Sequence, residues 1–201
     1  MYVAFVQDAG TRNILGFNVR TSRPAELVET ALEQAVHTRS RLHGRHWLSD
    51  SDLICHSDQG SQFTSIPYSR KLREYRIRGS MRAVGTSADN ALMESTIGLY
   101  KTELIYRRSW RSRQEIETAT AAWVTWFNQK RLHSKLGHKS PARFEKALSK
   151  PGTAKADRVR ENRPSKPERF PLADCGVVLV SVIFGGRVAP RINSWVCQFI
   201  H

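Results

Sequence analysis

Acidic residues are in short supply in this 201-residue chain: 18 Asp and Glu stand against 32 Lys and Arg, a formal net charge of +14. That deficit argues against a protein that repels polyanions. It favours a polyanionic partner, because each Lys or Arg that neutralises a phosphate releases condensed counterions. Charge by itself is equally satisfied by an acidic substrate, an acidic membrane or plain solubility. Cysteine is also scarce: Cys55, Cys175 and Cys197 are an odd number with no CxxC pair. Neither a disulfide framework nor a zinc knuckle is indicated. Long apolar runs are missing too. The longest, Gly176 to Phe184, is about half of what a membrane-spanning helix needs. The start, Met1-Tyr2-Val3-Ala4-Phe5-Val6, lacks a basic n-region and meets Asp8 almost at once, unlike a secretory signal. A reduced cytoplasmic compartment with no membrane partner is the expectation.

What is present is enough chain for one compact α/β domain with some left over. Tyr2–Val6 and Ile14–Val19 are short, apolar and β-prone, with Thr11-Arg12-Asn13 as a hairpin turn between them. From Ser22 the period changes: Leu27, Val28, Ala31, Leu32, Ala35 and Val36 recur three and four apart, an amphipathic helix with Pro24 near its start. Leu53-Ile54-Cys55 is a third strand. A basic segment with Arg70, Lys71, Arg73, Arg76, Arg78 and Arg82 reads as a short helix and a strand around Ile77–Met81. Asp89 can cap a helix starting at Asn90. The capping box Ser112-Arg113-Gln114-Glu115 opens another helix to about Asn128, and Ser140-Pro141 starts a last one to Leu148. The expected fold is α/β, a mixed sheet flanked by helices over residues 1–149. Residues 150–201 read as a tail without defined structure, Pro-rich and charged at first, then apolar.

Two carboxylates stand out. Asp58 follows the third strand in His56-Ser57-Asp58-Gln59-Gly60, and Glu94 lies in the first turns of the helix after Asp89, with 35 residues between the two. Each also has an ordinary role: Asp58 can shape a turn, and Glu94 can complement a helix dipole. Lys101 lies two turns beyond Glu94 on the same helix face. The histidines His37, His43 and His46 with Cys55 do not close a tetrahedral metal site. Trp123, Trp126 and Phe127 fall at helical spacing and read as core rather than as a base-stacking platform.

Three ordered blocks carry a resemblance. His56-Ser57-Asp58-Gln59-Gly60-Ser61-Gln62-Phe63-Thr64-Ser65, then Asp89-Asn90-Ala91-Leu92-Met93-Glu94 with Lys101, then Trp126-Phe127-Asn128 with Arg131, His133, Leu136 and Ser140-Pro141, are similar to consecutive blocks of one family. It is the insertion-sequence transposases, whose core resembles retroviral integrases and carries an Asp, Asp, 35-residue gap, Glu signature. The similarity spans about residues 2–148. It implies a ribonuclease H-like fold and DNA transposition by metal-dependent cleavage and strand transfer at element ends. Two Mg²⁺ or Mn²⁺ ions, about 3.5–4 Å apart, would be held by carboxylates. Asp58 and Glu94 would be catalytic metal ligands, and Lys101, Arg131 and His133 would contact DNA. The partners implied are element ends and target DNA, together with a second copy or an intact transposase.

The resemblance also implies what this chain lacks. The family's first catalytic Asp sits on a central first strand, upstream of the segment that here begins at Tyr2. Asp8 sits instead where the family has a turn residue, and is read as one. The expectation is a sheet without its central strand, with two unpaired edges, and a chain inactive in strand transfer. The alternative is a non-catalytic DNA-binding remnant or a pseudogene product. Residues 150–201 have no counterpart in the family; a reading frame running past a damaged stop, or through a frameshift, is the preferred account, and a genuine appended domain the minority reading.

Overall fold

Two β-prone segments joined by a polar turn fold back on one another at the start of the chain. The computed structural model describes residues 1–22, 25–43, 53–57, 65–80, 87–148 and 177–184. β1 (Tyr2–Asp8) and β2 (Ile14–Arg20) form an antiparallel hairpin with a bulge after Val6. Asp8 Oδ1 accepts from the Thr11 backbone N–H at 2.6 Å and from its hydroxyl at 3.0 Å, which closes the turn. Asp8 is therefore a turn residue, as its position in the sequence suggests.

The six apolar residues picked out from Leu27 to Val36 are all buried, on one face of α1 (Ala25–His43). This face lies so close over β2 that a Cβ at Gly16 would come 2.2 Å from the Ala31 carbonyl oxygen. Only glycine fits there. Next come β3 (Ile54–Ser57), α2 (Ile66–Glu74) and β4 (Arg78–Ser80), with the Ser65 hydroxyl accepting from the Tyr68 N–H to cap α2. The helices α3 (Ser87–Glu103), α4 (Arg113–Gln129) and α5 (Pro141–Leu148) follow. At α4 the Ser112 hydroxyl accepts from the Glu115 N–H at 3.2 Å, while the Glu115 carboxylate reaches back to the Arg111 N–H at 2.9 Å. The expected cap at Asp89 is corrected. α3 begins at Ser87, so Asp89 lies inside its first turn rather than before it.

The strand order is β2-β1-β5-β3-β4, where β5 is Val177–Phe184. β5 runs antiparallel to β1, from Tyr2 opposite Phe184 to Asp8 opposite Val178, and parallel to β3, from Ile54 opposite Val177 to Ser57 opposite Val180. α1 and α2 cover one face of this sheet with a core that includes Ala4, Val6, Leu27, Leu32, Cys55 and Tyr68. α3 and α4 cover the other, around Val3, Phe5, Tyr100, Trp123 and Phe127. The mixed sheet flanked by helices is the architecture expected.

Two expectations need correction. The central position of the sheet is filled, by a strand from the segment read as a tail without defined structure. The octapeptide Val-Val-Leu-Val-Ser-Val-Ile-Phe is rich in β-branched residues, and it pairs with backbone groups of β1 and β3 that would otherwise be open edges. Trp123 and Phe127 are core, at 6% and 1% exposure, but Trp126 is 43% exposed. Trp126 packs instead beneath the Arg131 guanidinium, 5.4 Å away, where the cation covers its ring.

Candidate active site

The side chains that hold α3 in place decide what it presents outward. Leu92, Met93, Thr96 and Tyr100 are buried against the sheet. The Thr96 hydroxyl donates to Gln7 Oε1 on β1 at 3.0 Å, and the Gln7 amide nitrogen donates to the Arg12 carbonyl at 2.9 Å. Tyr100 meets Phe5 edge-on, with ring centroids 4.9 Å apart, and its hydroxyl pairs with that of Thr120 at 2.8 Å. Burial pushes the Tyr100 phenol up to about 12, so it acts as a neutral anchor. With that side fixed, Glu94 is exposed and Lys101 half-buried on the remaining face, an acid and a cation two turns apart as the spacing predicts.

Asp58 lies outside the described residues; the strand that leads to it, β3, is described as far as Ser57, which is buried. The basic segment beside β3 is exposed at Arg70, Arg73, Arg76 and Arg78, while Lys71 pairs with Glu33 at 2.6 Å. Among the described residues no three His, Cys, Asp or Glu side chains converge on a common point. Cys55 is engaged elsewhere: its sulfur lies 3.2 Å from the Tyr68 hydroxyl, and burial pushes its thiol up to about 11. His37 is exposed. His43 is described only as the end of α1, and His46 lies outside the described residues.

Arg131 and His133 sit after α4, and each has a partner within the protein. Arg131 forms an ion pair with Glu103 in the last turn of α3, and the same Glu103 accepts from the Trp123 indole N–H at 3.0 Å. Arg131 is thus brought to the end of α3 that carries Lys101. His133 packs edge-on against Phe127, with centroids 4.9 Å apart, and its Nε2 is buried without a hydrogen-bond partner. Desolvation, and then the positive Arg131 and Arg12, hold the His133 imidazole below its ordinary range.

The sequence reading missed one polar cluster altogether. Arg39 of α1 bridges Asp8 at the end of β1 and Glu145 of α5, and all three residues are buried. Asn13 donates to the other Glu145 oxygen at 2.6 Å. This cluster ties α5 and the hairpin to α1. It lies on the α1 face of the sheet, opposite α3, so Asp8 shares no face with Glu94. A signal did exist in the sequence: Arg39 continues the buried face of α1, where an arginine needs a carboxylate partner.

The chain matches two family models, both described as "Integrase core domain", over residues 1–87 and 75–141. It is 48% identical over 147 residues to a "Putative transposase for insertion sequence element IS986/IS6110" of Mycobacterium tuberculosis, covering 73% of this chain and 52% of that one. A transposase for insertion sequence element IS629 of Shigella sonnei is 42% identical over 147 residues, covering 73% of this chain and 47% of its own length. The chain therefore spans about half the length of these relatives. Among solved structures, a chain of the simian T-cell lymphotropic virus intasome, in complex with a PP2A regulatory subunit, superposes with a TM-score of 0.53 at 14% identity. That match covers 84% of this chain and 52% of that one.

Proposed function

Because the chain belongs to the insertion-sequence transposases with an integrase core domain and has their ribonuclease H-like fold, we propose that Asp58 and Glu94 hold divalent metal against a DNA phosphate. We propose further that the chain, as it stands, does not complete strand transfer. The observation that carries the reading is the fixing of α3 through Thr96 and Tyr100, which leaves Glu94 and Lys101 facing outward together. Carboxylate oxygens are hard ligands of the kind Mg²⁺ and Mn²⁺ prefer, so the donors fit the ion in kind. They fall short in number, because β5, beside the strand that leads to Asp58, contains no carboxylate.

When bound, such ions activate an attacking oxygen and stabilise a leaving one. Around them the chain's own groups bind and orient. Lys101 holds a phosphate as a point charge. Arg131 and His133 support the DNA backbone from the neighbouring end of α3, Arg131 by exchanging Glu103 for a phosphate and His133 as a neutral imidazole. A second copy or an intact transposase is the protein partner. In a Mg²⁺-dependent cleavage assay on matched element ends, the wild-type chain gives no product above background. Robust cleavage abolished by Asp58→Ala would overturn this reading.

The exposed Arg70, Arg73, Arg76 and Arg78 favour a second reading, a non-catalytic DNA-binding protein. Binding of that kind weakens with salt and persists in chelator.

A further inference from the structure

We propose that Arg12, at the tip of the β1–β2 turn, is a contact for the DNA phosphate backbone, gathered into one patch with Arg131 and His133. The proposal rests on the reading of the chain as a DNA-binding core and extends it to a residue outside α3 and the α4–α5 connector. Backbone conformation, placement and charge each lead to position 12.

Arg12 has φ 64°, in the left-handed region that glycine or asparagine adopts at lower cost than arginine. The turn itself does not call for an arginine. The Arg12 N–H donates to the Asp8 carbonyl at 2.9 Å, and its carbonyl accepts from the Gln7 amide at 2.9 Å, bonds that any residue except proline can make. Position 12 therefore carries its side chain at the expense of its backbone. Strain held in place by the surrounding structure gathers at functional positions.

Two clamps set the placement. The Asn128 side chain, in the last turn of α4, accepts from the Ile14 N–H at 2.9 Å and donates to the Ile14 carbonyl at 2.8 Å. Asn13 donates to Glu145 of α5 at 2.6 Å. The turn is thereby seated against the α4–α5 connector, and Arg12, like Arg131, is near enough to His133 to disfavour its charged form. The same imidazole has an Nε2 without a hydrogen-bond partner. Two guanidinium groups and an unfilled ring nitrogen thus meet at the end of α4.

Charge decides what such a patch takes. No Asp or Glu occurs from Ala9 to Ala25 or from Asn128 to Phe144. The acids next to these segments, Asp8 and Glu145, are both engaged by the buried Arg39. Lys130, Lys135 and Lys139 are exposed along the connector. A surface so short of acids selects a polyanion, and the planar fork of a half-buried Arg12 matches two oxygens of a phosphate.

The test uses the full chain and a duplex of arbitrary sequence, with affinity read by fluorescence anisotropy over a series of KCl concentrations. Arg12→Gly should lower the log–log salt slope by about 1 and weaken binding about tenfold near 0.1 M salt, because one phosphate contact fewer releases one counterion fewer. The same variant should melt no lower than the wild type, since glycine is at ease at positive φ. An arginine kept for the fold would show the reverse. Arg12→Lys keeps the charge and should retain the slope. Arg20→Ala, at the far end of β2 and paired on the surface with Glu26, is the control and should leave the slope unchanged.

An unchanged slope for a folded Arg12→Gly overturns the proposal. Equal losses for Arg12→Gly and Arg20→Ala overturn it too, because net charge alone would then be what the DNA reads. So does a melting temperature of Arg12→Gly well below that of the wild type, or failure of that variant to fold, either of which assigns the arginine to the fold. If Lys101→Ala leaves the slope unchanged while Arg12→Gly lowers it, the outward face of α3 drops out of the DNA path and the Arg12 contact stands. If Lys101→Ala lowers the slope and Arg12→Gly does not, the Arg12 contact alone falls.

Discussion

Arg39 is the residue whose loss the fold should feel most. It is buried between Asp8 and Glu145, and its removal leaves two carboxylates inside the protein without a counter-charge. Breaking a buried pair in this way costs about 3–5 kcal/mol. Arg39→Ala should lose stability of that order in urea denaturation with an unchanged slope, whereas loss of an exposed pair such as Arg20–Glu26 should cost well under about 1 kcal/mol. His133 gives a pH signature of defined sign. Its imidazole titrates below the ordinary 6.5 because burial and two nearby guanidinium groups disfavour the charged form. The unfolded chain therefore takes up a proton first as pH falls. The contribution of His133 is fully present above pH 6.5 and is lost as pH drops from there through its lower folded-state value. Melting temperature should decline across that window, and His133→Asn should flatten the part of the decline due to this group.

At the scale of elements, legibility followed periodicity. The hairpin, α1 and the Ser112 capping box could be read because their signals are local: a polar turn, a three-and-four spacing, a serine three residues before a glutamate. Glu94 and Lys101 could be placed on one face for the same reason. β5 could not be found that way. Its sequence is a near-continuous apolar run without alternation, and nothing local says which edges such a run will join. The pairing of Arg131 with Glu103, 28 residues apart, was hidden for the same cause: it depends on how α3 and α4 pack. β5 also yields a prediction. A chain ending at residue 176 would leave β1 and β3 with open edges, and should lose its cooperative thermal transition and aggregate. A cooperative melt at the full-length temperature would show that β5 is dispensable.

Across the whole molecule, the proposed function assigns the excess of 14 positive charges to how DNA would be held, and the outward face of α3 to where. Affinity for duplex DNA should fall linearly with salt on a log–log plot. Lys101→Ala should weaken binding to all sequences alike and reduce the slope by about 1, one phosphate contact fewer. Fluorescence anisotropy at several salt concentrations measures both, and an unchanged slope would remove Lys101 from the interface. Metal and charge separate cleanly here, because chelation should leave this binding intact.

The order of strands in the sheet also governs when the protein can come into being. Asp8 pairs with Val178 and Tyr2 with Phe184, contacts that span 170 and 182 residues of chain (178 − 8 and 184 − 2). On the ribosome, β1 and β2 emerge long before the strand that will lie between β1 and β3. The nascent chain therefore carries an unfilled slot in its sheet for most of its synthesis, and the core closes only after Phe184 has left the exit tunnel. Closure is then a late, long-range event of the kind that folds slowly and leaves sheet edges open to other chains in the interval.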